Sequence, residues 1–485
     1  LYFIRCGETK SHEFAIQEHL YAEALAAAMK GYYFQRASLA LPEKYASAWA
    51  REKGHPDLKL LFHPDMKREG TVDSPGGWYD AGDYGKYVVN AGITMLSLLL
   101  VWEIEPEVLS VSLNIPESGL IDGSDMLIPI DSSQVVVPPD FMYEMKYELD
   151  WLKTMQDQDG GVFFKIGPTS FPDFKLPADD KGARFIIGKS TTSTLDFAAV
   201  MAAAGKCLLK YFPRYAADCI TRAKRAFEWA QKNPGVSEPS EIGGTGAYGD
   251  KEYKDEFLTA AAELFFATGG DVYKKYLQDN LKSFSMTVPG SWNALSNFAF
   301  FTIALHPDLF PKDLADYSRN EVIKYADAVL ARMNENTFGV PMRVNDFIWG
   351  SNSVLLNYGM AVAIANRVAG KTGNGEKYRN ALPAFLDYIF GKNATGFSFV
   401  TGFGEKTPML PHHRPSGAGK SIEPVPGLLA GGPNKNMEDG SGFYQRSEPA
   451  RAYADRQGSY ASNEVAINWN APLVFMLAIT EAELK

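Results

Sequence analysis

Two aspartates three residues apart stand in a loop rich in glycine and aromatic residues. The stretch Gly76–Tyr87 reads GGWYDAGDYGKY, with Asp80 and Asp83 as its carboxylates. Glycine lets a ligand approach the backbone closely, and aromatic faces pack well against flat surfaces such as sugar rings. One carboxylate can activate a water molecule while the other holds it. A helix start is the competing interpretation, because either aspartate could cap the apolar run that follows.

A third carboxylate, Glu464, lies near the other end of the sequence. The stretch Tyr453–Pro472 surrounds it with aromatic and amide side chains. Apolar spacing predicts a helix over Ala461–Glu483, with Glu464 in its first turn. The glutamate could simply complement the helix dipole, with Ser462 or Asn463 as the cap. Its aromatic surroundings are unusual for a solvated helix start, which favours a role in chemistry.

The elements that must position these carboxylates are mainly helical. Apolar residues recur at helical spacing in twelve segments, and strand-like alternation is scarce. The predicted helices are 16–36, 84–103, 141–155, 190–209, 214–231, 256–268, 272–283, 292–305, 314–333, 351–369, 376–390 and 461–483. Helices in pairs suggest a ring or a solenoid. Because no repeat period is visible, the sequence favours a single all-α domain with its function on loops.

Composition and net charge disfavour several classes of ligand and partner. The net charge of -10 disfavours nucleic acid and anionic membranes as partners, and no apolar run reaches membrane-spanning length. Aromatic residues make up 13% of the chain, which suits a neutral ligand bound by stacking. Three cysteines fit neither a disulfide framework nor a zinc site. Cys207 and Cys219 could pair, but packing inside helix cores is favoured.

Three long motifs, in the right order, resemble those of glycoside hydrolase family nine, the inverting cellulases. They are the aspartate motif Gly77–Tyr84, the histidine motif Ser398–Arg414 and the acidic motif Tyr453–Ala471. The resemblance implies an (α/α)6 barrel of six inner and six outer helices, which agrees with the twelve predicted segments. The barrel would span residues 16–485. Residues 1–15 would then form a short separate segment, the remnant of an upstream immunoglobulin-like domain.

The resemblance also implies catalytic roles. Asp83 resembles the general base that deprotonates the attacking water, Asp80 its partner that fixes this water, and Glu464 the general acid. Inversion requires the acid and the base to stand about 6.5–9.5 Å apart. Burial and the nearby aspartates should raise the pKa of Glu464. Backbone N–H groups of the glycine-rich loop should keep both aspartates ionised.

Seven further residues are predicted to contact sugar or to support the site. Four of them match family motifs: His412, Arg414, Asp455 and Tyr460. The other three are aromatic residues close to helix starts, where they could line a barrel mouth: Tyr248, Trp292 and Trp349. Core packing explains these three nearly as well. His413 is interpreted as a neighbour of the site.

Asp255 and Glu256 resemble a family segment that often binds calcium. A helix N-cap at Asp255 with Glu256 in the first turn is the simpler explanation. Asn293 stands where many family members have an aspartate. Calcium is therefore expected at most as a structural ion, and the chemistry requires no cofactor.

These patterns together predict a glycoside hydrolase that cleaves β-1,4-glucosidic bonds of cellulose or a related β-glucan, endo-acting and inverting. We expect a secreted or periplasmic monomer whose partner is the glucan. One alternative is an exo-acting β-glucosidase, cellobiohydrolase or β-glucosaminidase of the same fold; another is a carbohydrate-binding protein without catalysis. The insertion-like segment Gly119–Pro139 should decide between endo and exo action, because it could close one end of the cleft.

Overall fold

The computed structural model describes residues 2–11, 13–14, 16, 18–119, 136–237, 244–370 and 373–484, with the backbone alone at residues 373 and 374. Its helices are α1 (Ala22–Gln35), α2 (Glu43–Ala46), α3 (Val88–Ile104), α4 (Pro106–Leu109), α5 (Asp140–Met155), α6 (Thr191–Cys207), α7 (Pro213–Lys232), α8 (Lys254–Thr268), α9 (Asp271–Asn280), α10 (Ser296–Leu305), α11 (Lys312–Met333), α12 (Ser351–Ala369), α13 (Gly373–Ile389), α14 (Arg414–Ala418), α15 (Tyr460–Asn463) and α16 (Ile467–Glu483). Twelve of these helices have ten or more residues, and they coincide with the twelve predicted segments.

Six of the long helices contact one another in a closed order. Helix α3 packs on α6, α6 on α8, α8 on α10, α10 on α12, α12 on α16, and α16 again on α3. The other six long helices alternate with them along the sequence. The first and last members of the closed order are therefore neighbours, although almost four hundred residues separate them.

The sequence distinguishes the two sets of helices. Helix α3 is apolar nearly all round and is buried along almost its whole length, as expected for a helix with neighbours on every side. Helix α7 buries only one stripe, formed chiefly by small residues such as Ala216, Cys219 and Ala223. Its remaining surface is charged, as expected for a helix with one face toward solvent.

A five-stranded sheet, which the sequence did not predict, is packed beside the helices. Its strands are β3 (Leu60–Phe62), β4 (Thr71–Val72), β5 (Lys86–Tyr87), β6 (Phe163–Pro168) and β7 (Arg184–Lys189), in the order β4-β3-β7-β6-β5. All pairs are antiparallel except β3 with β7. The description "all-α" is therefore incomplete. Strand β6 is buried on both faces and shows no alternation, which removes the period-two signal.

An exposed hairpin of β1 (Arg5–Cys6) and β2 (Thr9–Lys10) precedes the helices. The assignment of residues 1–15 to an upstream domain stays a prediction. All three cysteines are free thiols, with Cys219 buried in α7, as favoured from the sequence. Within the described ranges, every helix is too short or too polar to cross a membrane. The segment expected to decide between endo and exo action falls largely on residues 120–135, outside the described residues.

Candidate active site

The aspartate loop, residues 76–87, follows strand β4, ends in strand β5 and leads directly into helix α3. Its backbone is tied to α1 by the N–H of Tyr79, which donates to Gln35 O at 2.8 Å, and closes on itself through the Asp80 N–H, which donates to Gly85 O at 2.9 Å. Helix α3 begins after Tyr87 and has no side-chain cap. The helix-cap interpretation of Asp80 and Asp83 is therefore wrong, and both carboxylates are available for other contacts.

A buried group of three charged side chains and the tryptophan of the loop, the rear cluster, supports this loop from behind. It consists of Arg36, Trp78, Glu144 and Glu148. The backbone N–H of Trp78 donates to Glu148 at 2.6 Å and its indole N–H donates to Glu144 at 2.9 Å. Arg36 lies 3.0 Å from Glu144. Burial raises the pKa of Glu148 to about 8, so this carboxyl is protonated near neutral pH. The rear cluster fixes the loop without reaching the mouth of the site.

Asp80 is held by two donors on its front side. Its Oδ1 accepts from the Asn90 amide at 2.6 Å, and its Oδ2 accepts from the Tyr248 hydroxyl. Tyr248 in turn packs edge-on against Trp292, with ring centroids 5.1 Å apart. Burial, and then the charge of Asp83, raise the pKa of Asp80 to about 8, although both hydrogen bonds oppose the rise. Tyr248 thus acts on Asp80 directly, a contact that its sequence position did not suggest.

Asp83 lies two residues before the glycine that binds it. Its carboxylate accepts the Gly85 N–H at 3.1 Å. Burial raises the pKa of Asp83, while the Arg414 charge and backbone N–H groups lower it. The expectation that the loop's N–H groups keep both aspartates ionised is wrong for Asp80, whose pKa of about 8 leaves it mostly protonated near neutral pH, because desolvation of a buried carboxylate outweighs such contacts.

Glu464 does not lie in the first turn of the last helix. Helix α15 ends at Asn463, Glu464 is extended at φ -71 and ψ 158, and α16 begins at Ile467 without a side-chain cap. Glu464 pairs with His412 in a parallel bridge. The His412 N–H donates to Asn463 O at 2.9 Å, and the Gly431 N–H donates to Glu464 O at 2.8 Å. The break between the two helices places the half-buried carboxyl beside the histidine motif.

Gly82 of the aspartate loop contacts the histidine motif, which comes from the far end of the sequence. Its carbonyl accepts the Arg414 N–H at 3.0 Å, and its backbone N–H slightly opposes the rise in the pKa of the Glu464 carboxyl. A Cβ atom on Gly82 would stand 1.9 Å from His412 O, so only glycine permits this approach. Burial, followed by the charges of Asp83 and Asp80, raises the pKa of Glu464 well above its usual value. The structure therefore brings all three predicted catalytic carboxylates into one site.

His412 and Arg414 of the histidine motif are both held by contacts with backbone carbonyl groups. His412 is half-buried and lies 2.7 Å from Gln457 O through Nδ1; burial lowers its pKa to about 4, so it is neutral. Arg414 donates to Gly82 O at 2.9 Å and to Pro172 O at 2.8 Å. Much of its donor capacity is therefore used inside the protein, and it acts first as a buried cation beside the carboxylates.

Asp455 ties two loops together. Its two carboxylate oxygens accept the backbone N–H groups of Met409 and Leu410 at 2.9 and 2.8 Å, and one of them also accepts from the Asn463 amide at 3.0 Å. These bonds use the carboxylate to place the histidine motif next to Glu464. His413 is fully buried between Gln35 and Ser416, which agrees with its interpretation as a neighbour.

Aromatic rings form a row along the mouth of the site. Trp349 packs on Tyr460 at 5.3 Å between centroids, and Tyr460 on His412 at 5.6 Å. Phe174, which sequence reasoning missed, packs perpendicular to His412 at 5.1 Å. Trp349 is 41% exposed, so its face is open to a ligand. The acidic motif predicted Tyr460 as a residue of the site, whereas nothing in the sequence around Phe174 indicates that it lies there.

Asp255 and Glu256 lie away from this row, in the first turn of α8. That helix begins at Lys254, so Asp255 is not its N-cap; the Asp255 carboxylate instead accepts the Leu295 N–H at 2.7 Å. Burial, then Asp255 and Asp196, raise the pKa of Glu256. Across the described ranges, no three His, Cys, Asp or Glu side chains converge as metal ligands.

Comparisons with known proteins agree with the geometry. A sequence model of glycosyl hydrolase family 9 matches residues 21–477. A xyloglucan-specific endo-beta-1,4-glucanase of Bacteroides ovatus is 37% identical over 97% of this chain and 80% of its own length. Endoglucanase D of Acetivibrio thermocellus is 32% identical over 97% and 71%. The solved structure of AaCel9A in complex with cellobiose-like isofagomine superposes with a TM-score of 0.88 and 31% identity, covering 99% of this chain and 88% of that one.

Proposed function

The chain belongs to glycosyl hydrolase family 9, and from this premise we propose that it hydrolyses internal β-1,4-glucosidic bonds of a β-glucan with inversion. One observation carries the proposal: His412 pairs with Glu464 in a parallel bridge, and the N–H of nearby Arg414 donates to Gly82 O at 3.0 Å, one residue before Asp83. The acid and the base therefore belong to one site, although they come from opposite ends of the sequence. The similarity to two endo-acting relatives supports the choice of substrate and of internal cleavage.

Each carboxyl group has a step in the reaction. Asp83 takes a proton from water, and the water oxygen forms the bond to the anomeric carbon on the face opposite the leaving group. Glu464 gives its proton to the glycosidic oxygen as that bond breaks. Asp80, fixed by Asn90 and Tyr248, holds the water in line. The proton from water stays on Asp83 until the products leave, after which solvent restores both groups.

The protonation states suit these steps. The raised pKa of Glu464 keeps a proton on the general acid near neutral pH. Arg414 opposes the effect of burial on Asp83, which favours the ionised form of the base. Activity should decline at high pH as Glu464 loses its proton and at low pH as Asp83 gains one. The environment thus separates two carboxyl groups into an acid and a base.

Anomer-resolved NMR of cellohexaose digestion tests the proposal. We expect the new reducing ends to appear first as the α-anomer and the early products to include cellotriose and cellotetraose. Glu464→Gln should lower turnover by about 10²- to 10⁴-fold, the usual contribution of a general acid, while cello-oligosaccharide binding is kept. Initial β-anomer would refute inversion, release of only one product size from a chain end would refute endo action, and full turnover by Glu464→Gln would refute the acid.

Several finer points belong to the same proposal. The closed order of six helices would be the inner layer of an (α/α)6 barrel, with the six alternating helices outside. The enzyme would act on extracellular or periplasmic glucan as a monomer, with no nucleic-acid or membrane partner. Calcium at Asp255 and Glu256 would be structural only, and a calcium-dependent rise in the melting temperature is the measurement that would establish it. No catalytic step depends on this ion.

A further inference from the structure

Arg184, on strand β7, contacts the aspartate loop directly beside the proposed base. Its side chain is 5% exposed, and its Nη1 donates to Tyr84 O at 2.7 Å. The carbonyl of Tyr84 and the N–H of Gly85 belong to one planar peptide group. That Gly85 N–H donates to the Asp83 carboxylate at 3.1 Å. A single rigid peptide group therefore joins the Arg184 guanidinium to the base.

Asp57, which is buried, holds Arg184 in this position. Its Oδ1 accepts from Nε of Arg184 at 2.7 Å, and its Oδ2 accepts from Nη2 at 3.2 Å. Because the guanidinium is planar, a fork of this kind also fixes the direction of the third nitrogen, Nη1. The Asp57 carboxylate lies 2.7 Å from the Lys86 ammonium as well, and that ammonium donates to Gly76 O at 2.8 Å. Asp57 thus anchors two cations that bind the aspartate loop near both of its ends.

The charges that act on Asp83 come from several elements. Arg414 and Arg184 both lower its pKa against the effect of burial, as do backbone N–H groups of the loop. The other titratable groups that act on it are Asp80, Glu464, Tyr87 and Tyr248. The charged or titratable neighbours of Arg184 itself are Asp57, Lys86, His55, Asp180 and Tyr79. Arg184 is thus a buried cation that acts on the base both by its charge and through a hydrogen-bonded peptide group.

We propose that Arg184, anchored by Asp57, is a positioning residue for the base: it holds the Tyr84–Gly85 peptide group that binds the Asp83 carboxylate and favours its ionised form. The proposal rests on the proposed function, in which Asp83 is the base. A hydrogen bond to the peptide carbonyl polarises the group and strengthens its N–H as a donor. A stronger donor stabilises the carboxylate relative to the carboxylic acid. Arg184 is buried, so it acts through the loop and not on the glucan.

Carboxyl ¹³C NMR of the aspartate-labelled protein tests this role, with Asp83→Asn to assign the signal. Arg184→Gln removes the charge and the fork, so the pKa of Asp83 should rise. Since the base must be ionised, the acidic limb of kcat on cellohexaose should move to higher pH by about one unit, the smaller end of the effect of a nearby opposite charge. KM should change little. Arg184→Lys keeps the charge without the fork and should give a smaller change in the same direction.

Arg68→Gln is the matched control. Arg68 forks the Asp157 carboxylate at 2.7 and 3.2 Å, which are the distances between Arg184 and Asp57. Its side chain is 40% exposed, and its partner belongs to the turn that follows α5. The substitution should leave the titration of Asp83 and the acidic limb of the pH profile where they are in the unmodified protein.

The outcomes separate the positioning role from the proposed function. An unchanged titration of Asp83 in Arg184→Gln overturns the positioning role, and so does an equal change in Arg68→Gln. If Arg184→Gln does not fold, the titration in Arg184→Lys decides in the same way. If the unmodified chain hydrolyses cellohexaose and Asp83 does not respond to Arg184, the function stands and the positioning role falls. If the chain hydrolyses no glucan while Asp83 responds, the function falls and the link from Arg184 to Asp83 stands.

Discussion

The aspartate loop has a front and a rear, and each side holds a carboxyl group of nearly the same acidity. Asp80 faces the mouth and Glu148 faces the helices, and burial raises the pKa of each to about 8. Their partners differ. Asp80 accepts from two side chains, Asn90 and Tyr248, and adjoins a second aspartate. Glu148 accepts a backbone N–H of the loop itself, at Trp78.

The difference shows that a shifted pKa does not by itself identify a catalytic group. Glu148 is fully buried behind the loop, and burial is the largest cause of its raised pKa. Asp80 belongs to a group of three carboxyl groups, with Asp83 and Glu464, whose charges act on one another. The presence of further acids at the front therefore distinguishes the two sides, while burial raises the pKa on both.

Replacing Asp83, the proposed base, should lower turnover more than the other two substitutions considered. Asp83→Asn removes the proton acceptor at the front and should lower kcat on cello-oligosaccharides by about 10²- to 10⁴-fold with little change in substrate binding. Steady-state kinetics together with calorimetric binding measure both quantities. A fall of less than tenfold in kcat would mean that Asp83 is not the base.

Tyr248→Phe should have an intermediate effect. The hydroxyl donates to Asp80 and lowers its pKa, so its removal should raise the pKa of Asp80 above its value of about 8. At a pKa of about 8 most of Asp80 is already protonated near neutral pH, so the substitution would move its ionisation further to the alkaline side. We expect kcat to fall about tenfold, within the range for an acid–base contact, and the part of the pH profile that follows the ionisation of Asp80, near pH 8, to move to higher pH. An unchanged profile with lower activity would instead indicate a simple packing role.

Glu148→Gln should have the smallest effect on turnover and a clear effect on stability. The pKa of Glu148 is higher in the folded state than its usual value of 4.5, so its contribution to stability is complete below that value and is lost as the pH rises through about 8. The wild type should therefore lose up to about 4 kcal/mol between pH 4 and pH 9 that the glutamine variant keeps. Denaturation at both pH values measures the difference.

The control for this prediction lies within the same experiment. At pH 4 the two proteins should unfold at similar denaturant concentrations, because Glu148 is protonated in the folded state and largely so in the unfolded state. Activity at pH 6 should stay within a few-fold of the wild type. A loss of turnover as large as that of Asp83→Asn would contradict the division between the front and the rear of the loop.

The sequence predicted the long helices well and indicated the three carboxyl groups that the structure brings together, whose catalytic roles stay predictions. Long apolar periods such as that of α3 are strong signals, and the glycine-rich and histidine motifs place charged groups where a solvated surface would not need them. The sequence could not reveal that Tyr248 binds Asp80. That contact depends on where a loop from a separate part of the chain returns to the site.

Three errors share one cause, which is that tertiary contacts overrode local signals. Glu464 follows Ser462 and Asn463, two good cap residues, yet pairing with His412 breaks the helix between α15 and α16. The sheet was missed because β6 is buried on both faces. The aspartates have raised pKa values because desolvation exceeds the effect of their N–H donors. Local sequence does not encode burial of this kind.

The position of α16 in the closed order of helices has a consequence for biosynthesis. Glu464 lies just before α16, and α16 completes the ring by packing on α3, the helix that follows the aspartate loop. A ribosome makes the other five helices of the closed order before this one exists. The nascent chain therefore carries the aspartate loop long before it carries Glu464, and the three carboxyl groups cannot meet until α16 has been made and the ring has closed.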